Sequence, residues 1–258
     1  MFRFASLGSG SRGNALLLET ARTRVLLDCG FPAREIENRL TSLGVEPESL
    51  DAILVTHEHG DHIRGLGPLA RRYRLPTWLT SGTHAGAGCG ELPQPHTISC
   101  QQGKFSIGDL EILPYPVPHD SREPCQFIFQ SQSLRLGVLT DTGRITPHIL
   151  DCLKGCDALI LEFNHDREML AKGPYPPSLQ ARVGGGQGHL SNDQSLSLLS
   201  ALDTHRLQHL IAAHLSEKNN HPDLVRQAVQ ESHPDLVSRL SLSPQHEAGG
   251  WREIEQQK

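Results

Sequence analysis

Six consecutive residues, His57-Glu58-His59-Gly60-Asp61-His62, place four side chains able to bind a metal ion in one short stretch. In an extended segment His57 and His59 project to the same side. Gly60 permits a tight turn, after which Asp61 and His62 can face a second point nearby. This run cannot by itself complete two metal shells. Further donors are expected where apolar strands end: His119 after Pro116-Val117-Pro118, Asp141 after residues 136–140, and His214 after residues 210–213. Asp141, with two carboxylate oxygens, is the best candidate to bridge two ions. Imidazole nitrogen mixed with carboxylate oxygen suits Zn²⁺, and also Mn²⁺ or Fe. Histidine is over-represented, at 15 of 258 residues, which fits metal chemistry. Two ions about 3.5–4 Å apart can activate water at neutral pH and clamp substrate oxygens. That chemistry serves β-lactams, thioesters and phosphodiesters alike, so the donors alone do not name a substrate.

The elements that must position these groups are legible as short apolar runs between Gly, Ser, Asn and Pro. Strands are expected over 3–7, 15–18 and 25–28, with Gly8 to Asn14 as the first turn. A helix follows Pro32, its stripe Ile36, Leu40 and Leu43 closed by Gly44. A buried strand over 52–56 delivers His57, and a helix is expected over 62–72. Residues 75–117 read as short strands and loops, 126–130 and 134–140 as paired strands, and 146–153 as a helix. A strand over 158–162 ends at Glu162. A long loop rich in Pro and Gly spans 172–188. Ser191 and Gln194 form a capping box opening a helix to about Leu202. A strand over 209–213, a helix after Asn220 and a last strand over 236–242 complete the order. Strands first, then strands alternating with helices, imply an α/β fold of two packed sheets with helices outside. One domain is expected over 1–244, with residues 245–258 a polar, frayed tail.

Net charge is −5, from 24 Lys+Arg and 29 Asp+Glu. That argues against a protein that coats nucleic acid by bulk electrostatics, but not against a local cationic site. No apolar run approaches the roughly 20 residues of a membrane-spanning helix. The opening residues lack the apolar core of a signal peptide. A soluble cytoplasmic protein with no membrane partner is expected. The six cysteines include no C-x-x-C pair. They read as free thiols, with Cys152 and Cys156, four apart on a helix, open to a zinc or redox role.

The H-x-H-x-D-H run, then a lone His, a strand-end Asp and a late strand-end His, resembles the metallo-β-lactamase superfamily. The resemblance extends from Ser6-Leu7-Gly8-Ser9-Gly10-Ser11 to His214-Leu215-Ser216. Leu7 to Asn14, Pro118-His119-Asp120, Thr140-Asp141-Thr142-Gly143, Glu162-Phe163-Asn164-His165-Asp166 and Gly188-His189-Leu190-Ser191-Asn192 resemble its YycJ/WalJ-type branch more closely. The resemblance implies an αββα sandwich with two divalent metal ions at one sheet edge. It also implies a nuclease, acting 5′→3′ on DNA. One ion would take His57, His59, His119 and Asp141, and the other Asp61, His62, Asp141 and His214. Glu162 and His189 resemble the proton-transfer pair of tRNA-processing relatives: Glu162 would orient His189, and His189 would protonate the leaving oxygen. Asp61 would orient the nucleophile, and His165 is a second candidate for proton transfer or substrate contact.

Substrate contacts are open between two readings each. Ser9, Ser11 and Asn14 either present an anion nest or form a hairpin turn. Arg182, beside the Gly184–Gly188 run, either closes over substrate or belongs to an ordinary loop. Lys218 and Asn219 follow His214 closely enough to reach a phosphate. Arg71, Arg72 and Arg74 read as a solvated helix face before a DNA track. A small-molecule ester or thioester hydrolase and a non-catalytic metal-binding adaptor remain the alternatives to a nuclease acting on DNA rather than RNA.

Overall fold

The computed structural model describes residues 1–256. The first sheet is built from β1 (Phe2–Gly8), β2 (Ala15–Thr20), β3 (Arg24–Leu27), β4 (Ala52–Leu54), β5 (Pro76–Thr80) and β6 (Gln94–Ile98). The second contains β7 (Phe105–Ile107), β8 (Leu110–Pro116), β9 (Cys125–Ser131), β10 (Leu134–Leu139), β11 (Ala158–Glu162), β12 (His209–Ala213) and β13 (Leu240–Leu242). A final strand, β14 (Arg252–Glu253), returns to the first sheet, giving the orders β14-β1-β2-β3-β4-β5-β6 and β13-β12-β11-β10-β9-β8-β7. Helices α1 (Ala33–Ser42), α2 (Gly60–Ile63), α3 (Leu66–Tyr73) and α4 (Ser81–Gly86) belong to the first half. Helices α5 (Pro147–Leu153), α6 (Arg167–Lys172), α7 (Pro177–Val183), α8 (Asn192–Ala201) and α9 (Pro222–Ser232) belong to the second.

Alternation along each strand builds the layers. Phe2, Phe4, Leu16 and Leu18 meet Phe127, Phe129, Ala158 and Ile160 between the sheets. Leu7, Leu17 and Ile53 face the other way, onto Ile36 and Leu40 of α1 and Leu66 and Leu69 of α3. Leu159 and Leu161 do the same against α5, α8 and α9. Both faces of each sheet are therefore covered, which is why these strands read as continuous apolar runs. The result is the expected αββα sandwich.

Strands β3 to β6 run parallel to one another, as do β10 to β13. Parallel strands gather the loops after their carboxyl ends along one edge, where ligands are held in open α/β sheets.

Four expectations are corrected. The helix over 62–72 is two, because Gly65 presses against the β3–α1 connection: its N–H donates to the Cys29 carbonyl at 2.8 Å, and a Cβ there would lie 2.3 Å from the Phe31 carbonyl oxygen. The loop over 172–188 contains α7, opened by Pro177 in its first turn. Residues 234–239 form a 3₁₀ turn, and only Leu240–Leu242 pairs with β12. The tail is not frayed where described. Arg3 and Phe4 pair with Glu253 and Arg252, the Arg3 guanidinium lies 4.0 Å over the Trp251 ring, and Ile254 is buried between the sheets. Residues 257–258 of that expected tail lie outside the described residues.

Candidate metal centre

Strand ends aim the side chains. Asp28 follows β3, Asp141 lies two residues past β10, and His214 follows β12. All three adopt the left-handed backbone region, at φ 60°, 51° and 55°. For residues other than glycine this costs of order 1–3 kcal/mol each, and it clusters where function over-determines geometry. Gly60 begins α2 with His59 as its N-cap, so Asp61 and His62 sit on the first turn.

Two groups of donors converge. His57 Nε2 lies 3.0 Å from His59 Nδ1, and His119 Nε2 lies 3.3 Å from the same atom. In the second group, Asp61 Oδ2 is 3.8 Å from His62 Nε2 and 3.6 Å from His214 Nε2. Asp141 stands between them: Oδ2 is 3.2 Å from His62 Nε2 and Oδ1 is 4.0 Å from His119 Nε2. Within each group the donor atoms lie within 4.8 Å of one another.

The second nitrogen of four of the rings is occupied. His57 Nδ1 meets Thr56 Oγ1 at 3.0 Å, and His62 Nδ1 meets Asp28 Oδ2 at 2.8 Å. His119 Nδ1 reaches the Gly188 carbonyl at 3.2 Å, and His214 Nδ1 reaches Glu162 Oε1 at 3.1 Å. Four imidazoles are thereby held with Nε2 directed inward, the arrangement by which outer partners fix metal ligands. His59 alone offers Nδ1.

Electrostatics point to cations. Burial alone would lower the pKa of His214, but Asp141, Asp61 and Glu162 outweigh it and raise it to about 10. Burial likewise works against His62, yet Asp141, Asp28 and Asp61 hold it well above the usual histidine range. Burial would raise Asp141, and the neighbouring His214 and His62 instead pull it well below the carboxylate range. A buried cage of carboxylates thus demands positive charge, from protons on the rings or from metal ions. Buried Asp141 Oδ2 and His214 Nε2 have no hydrogen-bond partner, and the mixed imidazole–carboxylate donors fit divalent metal ions.

A family model described as a β-lactamase superfamily domain matches residues 23–214. Exodeoxyribonuclease YycJ of Bacillus anthracis is 34% identical over 231 residues, 88% of this chain and 88% of that protein. Exodeoxyribonuclease WalJ of Streptococcus pneumoniae is 33% identical over 246 residues, 93% of this chain and 88% of its own. The chain belongs to the metallo-β-lactamase superfamily, in the family of YycJ and WalJ. Among solved structures, the metallo-β-lactamase fold protein YhfI of Bacillus subtilis superposes with a TM-score of 0.74 at 17% identity, covering 98% of this chain and all of that one.

The remaining site candidates fall into three places. His189 lines the cleft over the two donor groups, with Nδ1 2.8 Å from Glu162 Oε1. Glu162 is fully buried, and its Oε2 accepts from the backbone N–H groups of Leu190 at 3.0 Å and Thr142 at 3.3 Å. Burial would raise its pKa, but His189 and the hydrogen bonds from His189 and His214 bring it to about 2. Ser11 and Arg182 also line this cleft, and Arg182 pairs with Asp120.

Other candidates are turned inward. The Ser9 hydroxyl accepts from the His214 N–H at 2.9 Å and donates to Asn14 Oδ1 at 3.0 Å. Asn14 Nδ2 lies 3.3 Å from the Asp61 carbonyl and 3.1 Å from His62 Nε2. Their backbone N–H groups are also taken, Ser9 donating to the Pro244 carbonyl at 3.0 Å and Asn14 to the Asp61 carbonyl at 2.7 Å, so both support the donors and the anion-nest reading is corrected for them. Asn219 is fully buried, and Lys218 borders a separate cavity with Asp166 and Glu168, so neither reaches the cleft. His165 is buried, with Nδ1 unpartnered.

Sequence reasoning missed Asp28, Thr56, Asn164 and Tyr175. Asp28 carried the same signal as Asp141, an acid at the end of a buried apolar strand. Asn164 Nδ2 donates to the His214 carbonyl at 3.0 Å. The described residues contain no helix long and apolar enough to cross a membrane.

Proposed function

We propose that this chain is a metal-dependent nuclease that removes nucleotides from the 5′ end of DNA, working in the cytoplasm. The observation that carries the reading is the doubled donor set meeting at Asp141, in a chain matching proteins named exodeoxyribonucleases along nearly its whole length. His57, His59, His119 and Asp141 would hold one divalent ion, and Asp61, His62, Asp141 and His214 another, with zinc or manganese the best suited and iron next. Bound there, the ions supply a water activated at neutral pH and neutralise charge on the phosphate. Asp61, whose side chain is 24% exposed, orients that water. Glu162 holds His189 by Nδ1, leaving Nε2 as the free nitrogen of a ring lining the cleft. Ionised Glu162 stabilises the protonated ring, which donates its Nε2 proton to the leaving oxygen and is neutral until solvent returns a proton. His165, shut away from the cleft, supports the Ser191 segment that follows His189.

The test is hydrolysis of end-labelled, 5′-phosphorylated duplex DNA with Mn²⁺ or Zn²⁺, with an RNA duplex and a thioester in parallel. Wild type should release nucleotides from the 5′ end, and Asp61→Ala should abolish release. His189→Ala should lower kcat by about 10²–10⁴-fold with metal content unchanged. Cleavage of the thioester alone, or of RNA in preference to DNA, would replace the reading. Loss of metal from His189→Ala would remove the acid role.

A further inference from the structure

We propose that Tyr175 is a base-stacking residue that receives the terminal nucleobase of the substrate, an assignment that rests on the nuclease reading above. The cleft over the donors encloses about 310 Å³, at the small end of ligand sites. That suits one nucleotide unit and not a duplex. Its floor is metal-binding and its sides are mostly polar, from Ser11, Asn164 and Ser216. Beyond the histidines, Tyr175 and Val183 are the lining residues with large apolar side-chain surface among the described residues. Both come from the segment joining α6 to α8, so the apolar contribution is confined to one wall. A phosphate and the two ions have no use for a flat apolar surface. A group attached to the phosphate, planar and poorly hydrated on its faces, does.

The Tyr175 ring is also free and pre-set. It is half-buried, and its side chain makes no hydrogen bond, ion pair or ring contact among the described residues. It lies in the run Pro174-Tyr175-Pro176-Pro177. Prolines fix φ on both sides, and the following proline holds Tyr175 itself to extended backbone. Little conformational freedom is left to lose when a ligand is met. The wall is tied down by the Arg182–Asp120 ion pair and by the Asp120 N–H donating to the Gln187 carbonyl at 3.0 Å. None of the α7 side chains is buried, so this helix serves the cleft wall rather than the core. Stacking on an aromatic ring is tolerant of base identity.

The experiment compares wild type, Tyr175→Ala and Tyr175→Phe on two oligonucleotides, one with a natural 5′-terminal nucleotide and one with an abasic 5′ terminus. On the natural end, Tyr175→Ala should lose about 10- to 100-fold in kcat/KM, chiefly through KM, while Tyr175→Phe keeps most of the preference for a base. On the abasic end, the Ala loss should shrink to about twofold or less. Metal content and thermal midpoint of both variants should match wild type. An equal Ala loss on both ends, or no loss on the natural end, overturns the stacking role while the nuclease reading stands. Wild type inert toward both oligonucleotides overturns the nuclease reading and this assignment with it.

Discussion

Asp28 is the residue whose replacement most sharply tests how the centre is held. Its carboxylate accepts from the Thr56 N–H at 2.8 Å and from Thr56 Oγ1 at 2.9 and 3.1 Å, and lies 2.8 Å from His62 Nδ1. Asp28→Asn keeps the shape, and asparagine tolerates the left-handed backbone at φ 60°. The amide can keep its oxygen on the Thr56 N–H, but its NH₂ then faces His62 Nδ1. With Nε2 directed at Asp61 and Asp141, His62 carries its proton on Nδ1, so N–H opposes N–H. One charge-assisted hydrogen bond is lost, about 1.5–3 kcal/mol, matching the 10–100-fold fall in affinity typical when a ligand's outer partner is changed. Competition with a chromophoric chelator should show one ion weakened by that factor. An ion held on His57, His59 and His119 would lose far less, because the outer partners of His57 and His119 are Thr56 and Gly188. Two unchanged affinities would refute the role of Asp28 in fixing His62. A lowered thermal midpoint with both ions lost equally would make Asp28 a strut of the fold alone.

Two further outcomes follow from the same geometry. Stripping the ions with a chelator should make stability fall as pH rises from about 6.5 towards 10. His62 and His214 have folded pKa values raised above the ordinary histidine value, His214 to about 10. The folded state therefore binds more protons than the unfolded state across that window, and its advantage fades as they leave. His57 and His119 are shifted downward, so their opposing slope is confined to the region near 6.5 where the unfolded rings still titrate, and above about 7.5 they add none. Denaturant midpoints read at several pH values should show the decline in stripped protein and a flatter profile with ions restored; a flat stripped profile would refute the charge balance derived above. Separately, Ile254→Ala should cost about 2–4 kcal/mol in denaturant unfolding, since Ile254 is 2% exposed between the sheets. A change under 0.5 kcal/mol would mean that β14 docks without contributing to the core.

The candidate donors were legible where they follow a feature that sequence displays. Apolar strands buried on both faces mark their own ends, and His57, Asp141 and His214 occupy those ends. Asp28 carried the same mark and was passed over, since a single acid after a strand says nothing until a histidine is seen 2.8 Å away. Ser9 and Asn14 show the opposite failure. A Gly- and Ser-rich turn looks like an anion cradle, but its hydrogen bonds go to His214, Asp61 and His62, residues far off in sequence, which composition cannot reveal. The tail misled because its polarity is an average. Trp251 and Ile254 help to anchor it, one under the Arg3 guanidinium and one between the sheets. Helix α7 was hidden by its prolines and glycines, which read as loop. Those residues are what let a short, unburied helix be pinned over the centre, with Tyr175 at its entrance and His189 just past its exit. One wall of the cleft is thus built from residues that carry little secondary-structure signal. Its floor of candidate donors is held largely at the ends of strands that carry a great deal.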